Sequence, residues 1–372
     1  EGEGGEGEGG QGEGGQGEGA QRPQMPSSHQ QAKTALSAGR LSHFPGMQSG
    51  SQISNQATSE ASSPVPPPTI EYSATDIGIA RENFKVRDSL TDEDSYEHIG
   101  AVLWALGSSV AIWVDDSVAI DWDYNCNGTI DQPAQYEAYG FDNCDLQNIA
   151  TIADVNIFPN LRNAFGEESD TNTDARVSVV ITPVLNQMTR GEEDSDITLV
   201  GSYADPTVDL SAYDPDENPG SDEQEVIYVF APDPYGFHNP AALTTIDDYT
   251  SVELNAQISS AFYKLISYNQ HVLLGEASAE GGNPSDEESW VQLGLGALAA
   301  DLTGFGASNF EMAWNYLDAV HLNPLVDTDE SGAITTSSYG AQYLFFRWVA
   351  DAYGEEILAS FVQSSEVGQT NI

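Results

Sequence analysis

The chain has 372 residues, with 59 acidic against 11 basic side chains and a formal net charge of -48 with histidine neutral. Such a balance repels the phosphate backbone and excludes nucleic acid as a partner class. No run of about 18 apolar residues is present to cross a bilayer as a helix, so no transmembrane segment is expected.

Residues 1–20 are Glu, Gly and Gln apart from Ala20, and 21–68 are rich in Gln, Ser, Ala and Pro, ending in "PVPPPT" (64–69). Neither part has the apolar content to build a core, so residues 1–68 are expected to form a disordered tether with a stiff proline-rich end. Setting aside the tether's seven acids and three bases leaves 52 acids and 8 bases, a net charge of -44, on residues 69–372. That self-repulsion suits a salty or calcium-bearing medium, which points to an extracellular or cell-surface protein; plain solubility is the blander account of the same charge. The chain begins at Glu1 with no signal peptide in view. It is expected to be a processed or trimmed chain, and a tether of this kind fits attachment through an N-terminal lipid anchor.

From Thr69 onward short aliphatic runs alternate with turn residues, enough for one large domain or two modest ones. Strands are predicted over 83–89, 99–107 and 109–116, the last two joined by a Gly-Ser turn as a hairpin. A helix interrupted by Pro159 is predicted over 145–165, and buried strands over 176–184 and 225–232. After Asp247 the pattern turns helical, over 248–270, 286–303, 309–320 and 339–364. The second of these is expected to open with a capping box, Ser285 as N-cap and Glu288 three residues on. The fold class is α/β (α+β), a sheet-rich half at 69–246 before a helical half at 247–372.

Between the predicted hairpin and the first helix lies "DYNCNGTID" (123–131). Asp123, Asn125, Asn127 and Asp131 have the alternating oxygen spacing of a calcium loop, with Gly128 for the sharp turn, but Ala134 stands where a twelfth-position acid belongs and Glu137 would have to substitute. The loop therefore reads either as a calcium site or as an Asx-rich turn. Asp327, Asp329 and Ser331 repeat the rhythm more weakly, and Asp170, Asn172 and Asp174 lack the glycine, Ala175 taking its place. Cys126 and Cys144 are expected to pair, which the loop-entropy relation values at about 3 kcal/mol.

The six histidines, His29, His43, His98, His238, His271 and His321, contain no H-E-x-x-H, and two cysteines cannot make a thiolate zinc site. In the segment 254–271, Leu254, Ile258, Ala261, Phe262, Leu265 and Ile266 form one helical face. Ser260, Lys264, Ser267 and His271 run along its flank, and Lys264 is one of only three lysines in the chain.

"SSAFYKLISYNQHVLLG" (259–275) and "EESWVQLGLGALAADLTGFG" (287–306) resemble the hyicolysin-type zinc metallopeptidases, gluzincin-like enzymes whose corresponding helices read approximately H-E-F-Q-H-L-I and E-x-W-L-N-E-G-L. "IWVDD" (112–116), "FGEESDTNTDARVSVVITPVLNQ" (165–187) and "YVFAPDP" (228–234) resemble the same family's upstream segments. The resemblance implies a zincin-like domain that runs beyond Ile372. Carried over position by position, it puts the first histidine ligand at Ser260, the general-base glutamate at Ala261, the second histidine at Lys264 and the third ligand at Leu293. Hydrolytic zinc needs three protein ligands and a base, and none of these four side chains qualifies. No catalytic residue and no zinc are therefore expected.

The implied function is a catalytically inactive homologue that binds a peptide or protein, or serves a structural role. Two alternatives stand beside it: a hydrolase with a non-standard site built on Ser260 and Lys264, with His271 and Glu276 as further titratable groups, and a calcium-stabilised adhesion or matrix module. Lys264 itself has two readings, a charge paired with carboxylates in the former metal site or a cation that snorkels into water.

Overall fold

The computed structural model describes residues 72–90, 92, 94–133, 141–188, 200–275, 286–326, 336–364 and 366–372. The tether at 1–68, Ala134, Glu137, Glu276, Ser285 and the loop carrying Asp327, Asp329 and Ser331 lie outside them, as do His29 and His43.

Six strands form one mixed sheet: β1 (Arg81–Arg87), β2 (Tyr96–Leu106), β3 (Val110–Asp115), β4 (Val177–Thr182), β5 (Ser202–Tyr203) and β6 (Val226–Phe230), in the order β1-β2-β3-β4-β6-β5. The predicted hairpin is β2–β3, antiparallel, with Gly107 N donating to Val110 O across the turn at 2.8 Å. From β3 the sheet continues in parallel to β4 and β6. Every residue of β3, β4 and β6 is buried, as central parallel strands covered on both faces require. Two-residue β5, antiparallel to β6, was not expected; its sequence is too short to carry an alternating pattern.

Among the described residues the α-helices of six or more residues are α1 (Asn143–Ile152), α2 (Phe158–Phe165), α3 (Leu254–Tyr268), α4 (Ser289–Leu302), α5 (Asn309–Asp318), α6 (Thr336–Tyr353) and α7 (Ile357–Val362). Pro159 does not interrupt the first helical stretch. The chain runs from α1 through a wide turn of π-helix at Ala153–Ile157 into α2, and the widened turn just before Pro159 accommodates a residue that cannot donate to the ladder. The helix predicted over 339–364 is divided between α6 and α7 by Gly354, whose φ of 93° suits glycine.

Strand and helix faces meet in one core. Phe158 on α2 stacks on Phe262 of α3 with ring centroids 4.0 Å apart, which seats α3 against the helical layer. All six residues predicted for the core face of α3 are buried, and so are Asn255, Gln257, Ser259 and Ser267 on its other faces. An amphipathic reading misses this, because Gln257 and Ser259 find partners inside: Ser202 Oγ of β5 donates to Gln257 Oε1 at 2.9 Å, and Ser259 Oγ lies 2.9 Å from Thr303 Oγ1.

Candidate functional site

Where α3 faces α4, β5 and the start of α5, small side chains leave a cavity of about 110 Å³. Ala256, Ser260 and Ala261 of α3 look across it at Gly296, Ala297 and Ala300 of α4, and Tyr203 and Tyr339 also line it. Ser260, Ala261, Lys264 and Leu293, which are separated by up to 33 positions in sequence (260 to 293), all line this one cavity.

Each of the four is occupied otherwise than by a metal ion's needs. Ser260 Oγ donates to the Gly296 carbonyl at 2.8 Å, Ala261 presents a buried methyl group, and Leu293 packs against the core. Lys264 Nζ donates to Asp286 Oδ2 in an ion pair whose side chains are only 14% and 21% exposed. The ammonium therefore does not snorkel; it is held in the wall. Asp286 is further fixed through Oδ1, which accepts from Glu287 N at 2.9 Å and Gln292 Nε2 at 3.1 Å, and Gln292 Nε2 also reaches Ser267 Oγ at 3.0 Å. A hydroxyl, a methyl, an ammonium and an isobutyl group cannot make the three-ligand shell that zinc requires. Among the described residues no group of three or more His, Cys, Asp or Glu side chains is placed to hold a metal ion.

Ser260 and Lys264 share the cavity but bond to different partners, so the hydroxyl has no base beside it in this arrangement. Behind them Asp205 is held above the usual carboxylate range by burial, against the pull of Lys264 and Arg87. His271 is buried in a π-helical turn that follows α3, with Nε2 3.5 Å from Glu287 Oε2. Burial lowers its pKa; Glu287 and Asp286 oppose that shift. Glu287 in turn accepts from Gly368 N at 2.5 Å and Asn371 Nδ2 at 3.1 Å, which fastens the last turn of the chain to the cavity wall.

Asp286, Glu287 and Gln292 escaped sequence reasoning. The available signal was three consecutive acids, Asp286, Glu287 and Glu288, before an apolar helix, and the capping-box expectation assigned them wrongly. In the structure α4 begins at Ser289, with Glu288 at the N-cap in extended backbone and no side-chain cap. The three carboxylates are committed elsewhere: Asp286 to Lys264, Glu287 to the C-terminal turn, and Glu288 to Trp290 Nε1 at 2.8 Å.

At the loop, Asp123, Asn125, Asn127 and Asp131 come together in one closed turn. Asp123 is buried, and its two oxygens accept from Asn125 N at 3.1 Å and Gly128 N at 2.7 Å. Burial alone would raise its carboxyl, but these bonds, with Cys126 N and Asn127 N, hold it below the usual carboxylate range. Asn127 Oδ1 accepts from Thr129 N at 2.8 Å and Asp131 Oδ2 from Tyr124 N at 2.9 Å. The Cys126–Cys144 disulfide, Cα atoms 5.6 Å apart, ties the loop to α1 as expected. The segment around Asp170, Asn172 and Asp174 is also a turn of side-chain acceptors, Asp170 Oδ1 taking Ala175 N at 3.1 Å and Asp174 Oδ1 taking Arg176 N at 2.8 Å. His98 and His321 are exposed, and His238 Nδ1 lies 3.1 Å from Gln187 Nε2. None of the described helices is long and apolar enough to cross a membrane.

No family model matches the chain, and no curated protein matches it in sequence.

Proposed function

We propose that this protein is a catalytically inactive relative of the hyicolysin-type metallopeptidases, at the cell surface or outside the cell, whose cavity between α3 and α4 binds a peptide segment of a protein partner. One observation carries the reading: the four positions that the resemblance assigns to the zinc ligands and general base line a single cavity, and an ion pair occupies the place of the metal's charge. That convergence supports the residue-by-residue correspondence, while the side chains at those positions argue against hydrolysis. The experiment is metal analysis and peptidase profiling of the full chain. No stoichiometric zinc and no chelator-sensitive cleavage are expected; one tightly held zinc per chain with cleavage lost to a chelator would overturn the proposal. The quadruple variant Ser260→His, Ala261→Glu, Lys264→His and Leu293→Glu should gain zinc affinity, since its new donors would converge on one space.

A second reading, a calcium-stabilised surface module, rests on the oxygen spacing of the 123–131 loop, where an ion would have to compete with the backbone N–H groups that Asp123 and Asp131 now accept from. It is compatible with the first, because the loop and the cavity share no residues.

A further inference from the structure

The cavity's size and charge state specify more than "a peptide". An apolar cavity of about 150 Å³ admits a benzene molecule. One of about 110 Å³ is therefore matched by a branched aliphatic group, smaller than a benzene ring. The charged members of its wall are both already matched: Lys264 by Asp286, and Glu287 by the Gly368 amide and the Asn371 side chain. Inserting a second cation or anion would separate charge from its partner in a part-buried setting, which costs more than it returns. Of the polar lining, Ser202 Oγ already donates to Gln257 Oε1, Ser260 Oγ to the Gly296 carbonyl and Asn309 Nδ2 to the Ala297 carbonyl, while the methyl groups of Ala256, Ala261, Ala297 and Ala300 and the Leu293 side chain supply the apolar surface. An entering side chain gains chiefly by covering that apolar area.

We infer that the cavity is a specificity pocket for one uncharged aliphatic side chain, of valine to leucine size, presented by the bound peptide. This rests on the peptide-binding reading above and adds the determinant of which peptide.

The test uses the full chain and a series of N-acetyl amino-acid N′-methylamides of glycine, valine, leucine, phenylalanine, tryptophan, lysine and aspartate, with affinities measured by ligand-observed NMR titration. Burial of a valine or leucine side chain should tighten binding about tenfold or more over glycine, with tryptophan, lysine and aspartate no better than glycine. Ala297→Leu, which fills the cavity, should abolish the leucine preference. Leu293→Ala, which enlarges it, should shift the preference towards the phenylalanine derivative, so the inference does not hang on one variant folding. Equal affinity for glycine and leucine, a preference for tryptophan or a charged derivative, or a leucine preference that survives Ala297→Leu would each overturn it. A mixed casein digest applied to the same protein separates the two levels. Peptides retained without enrichment for valine or leucine would leave the binding reading intact and refute the pocket's selectivity, whereas no retained peptide and no amide binding would refute both.

Discussion

Replacing Lys264 by Met keeps most of the side-chain stem and removes its charge, leaving Asp286 with an unpaired carboxylate in the cavity wall. Removing one partner of a fully buried pair costs about 3–5 kcal/mol. Here Asp286 is about one-fifth exposed and keeps the bonds from Glu287 N and Gln292 Nε2, so the expected loss is smaller, about 2–3 kcal/mol. Asp286→Asn should lose about 1–2 kcal/mol, because the amide can still accept while the ammonium loses its counter-charge. The double variant should then lose less than the sum, with a coupling of about 1.5 kcal/mol, inside the range for residues in one network. Urea unfolding followed by both tryptophan fluorescence and circular dichroism measures all three, with unchanged m-values as the check that the unfolded state is not altered. A pair on the surface couples by no more than about 1 kcal/mol. A coupling below about 0.5 kcal/mol would mean that Lys264 is solvated in solution, and the proposal that an ion pair stands in for a metal's charge would fall with it.

Stability should also respond to pH through two groups of opposite sign. Burial raises the Glu82 carboxyl from 4.5 to about 7, so as pH rises the unfolded chain releases its proton first; stability is full below 4.5 and declines up to about 7, by about 3 kcal/mol, and Glu82→Gln should flatten that decline in urea melts across the range. Buried His271 has its pKa below the ordinary 6.5, so the unfolded chain takes up the proton first; its contribution is full above pH 6.5 and is lost as pH falls through the folded-state value, and His271→Gln should weaken this acid sensitivity while NMR titration of the imidazole reports the shift directly. If the 123–131 loop holds calcium, the ion at a hundred times its dissociation constant should add about 2.7 kcal/mol of stability, and Asp123→Asn should abolish the gain; a melting curve that calcium does not move removes the calcium reading.

What could be read from sequence was local, and what could not was settled by distant partners. The β2–β3 hairpin follows from a Gly-Ser turn between aliphatic runs, and the core face of α3 follows from the spacing of Leu254, Ile258, Phe262 and Leu265. β5 exists only because Ser202 and Tyr203 meet Val229 and Tyr228 on β6, a pairing that no property of two residues announces. The N-terminus of α4 was misplaced for a related reason: Asp286, Glu287 and Glu288 look like first-turn acids, yet their oxygens are drawn to Lys264, the C-terminal turn and Trp290. For the cavity, the resemblance supplied four positions and the structure brought them together. It could not supply Asp286 as the partner of Lys264, since Asp286 stands 22 positions away and on no shared helical face.

The Lys264–Asp286 pair has a consequence for what the cavity can recognise. A lone buried ammonium would attract anions and would be costly in a wall of alanines, so a lysine is tolerable there only where a carboxylate is supplied with it. Once supplied, the carboxylate cancels the field that the cation would have cast into the cavity, and Gln292 and Glu287 N hold it in that role. Selectivity must then come from shape and apolar area. A variant that neutralises both members, Lys264→Met with Asp286→Leu, should keep any aliphatic preference, whereas Lys264→Met alone should expose a negative charge and turn the preference towards basic side chains. Affinities for the leucine and lysine derivatives in these two variants decide the point: a lysine preference that fails to appear in the single variant would show that the pair does not set the cavity's charge.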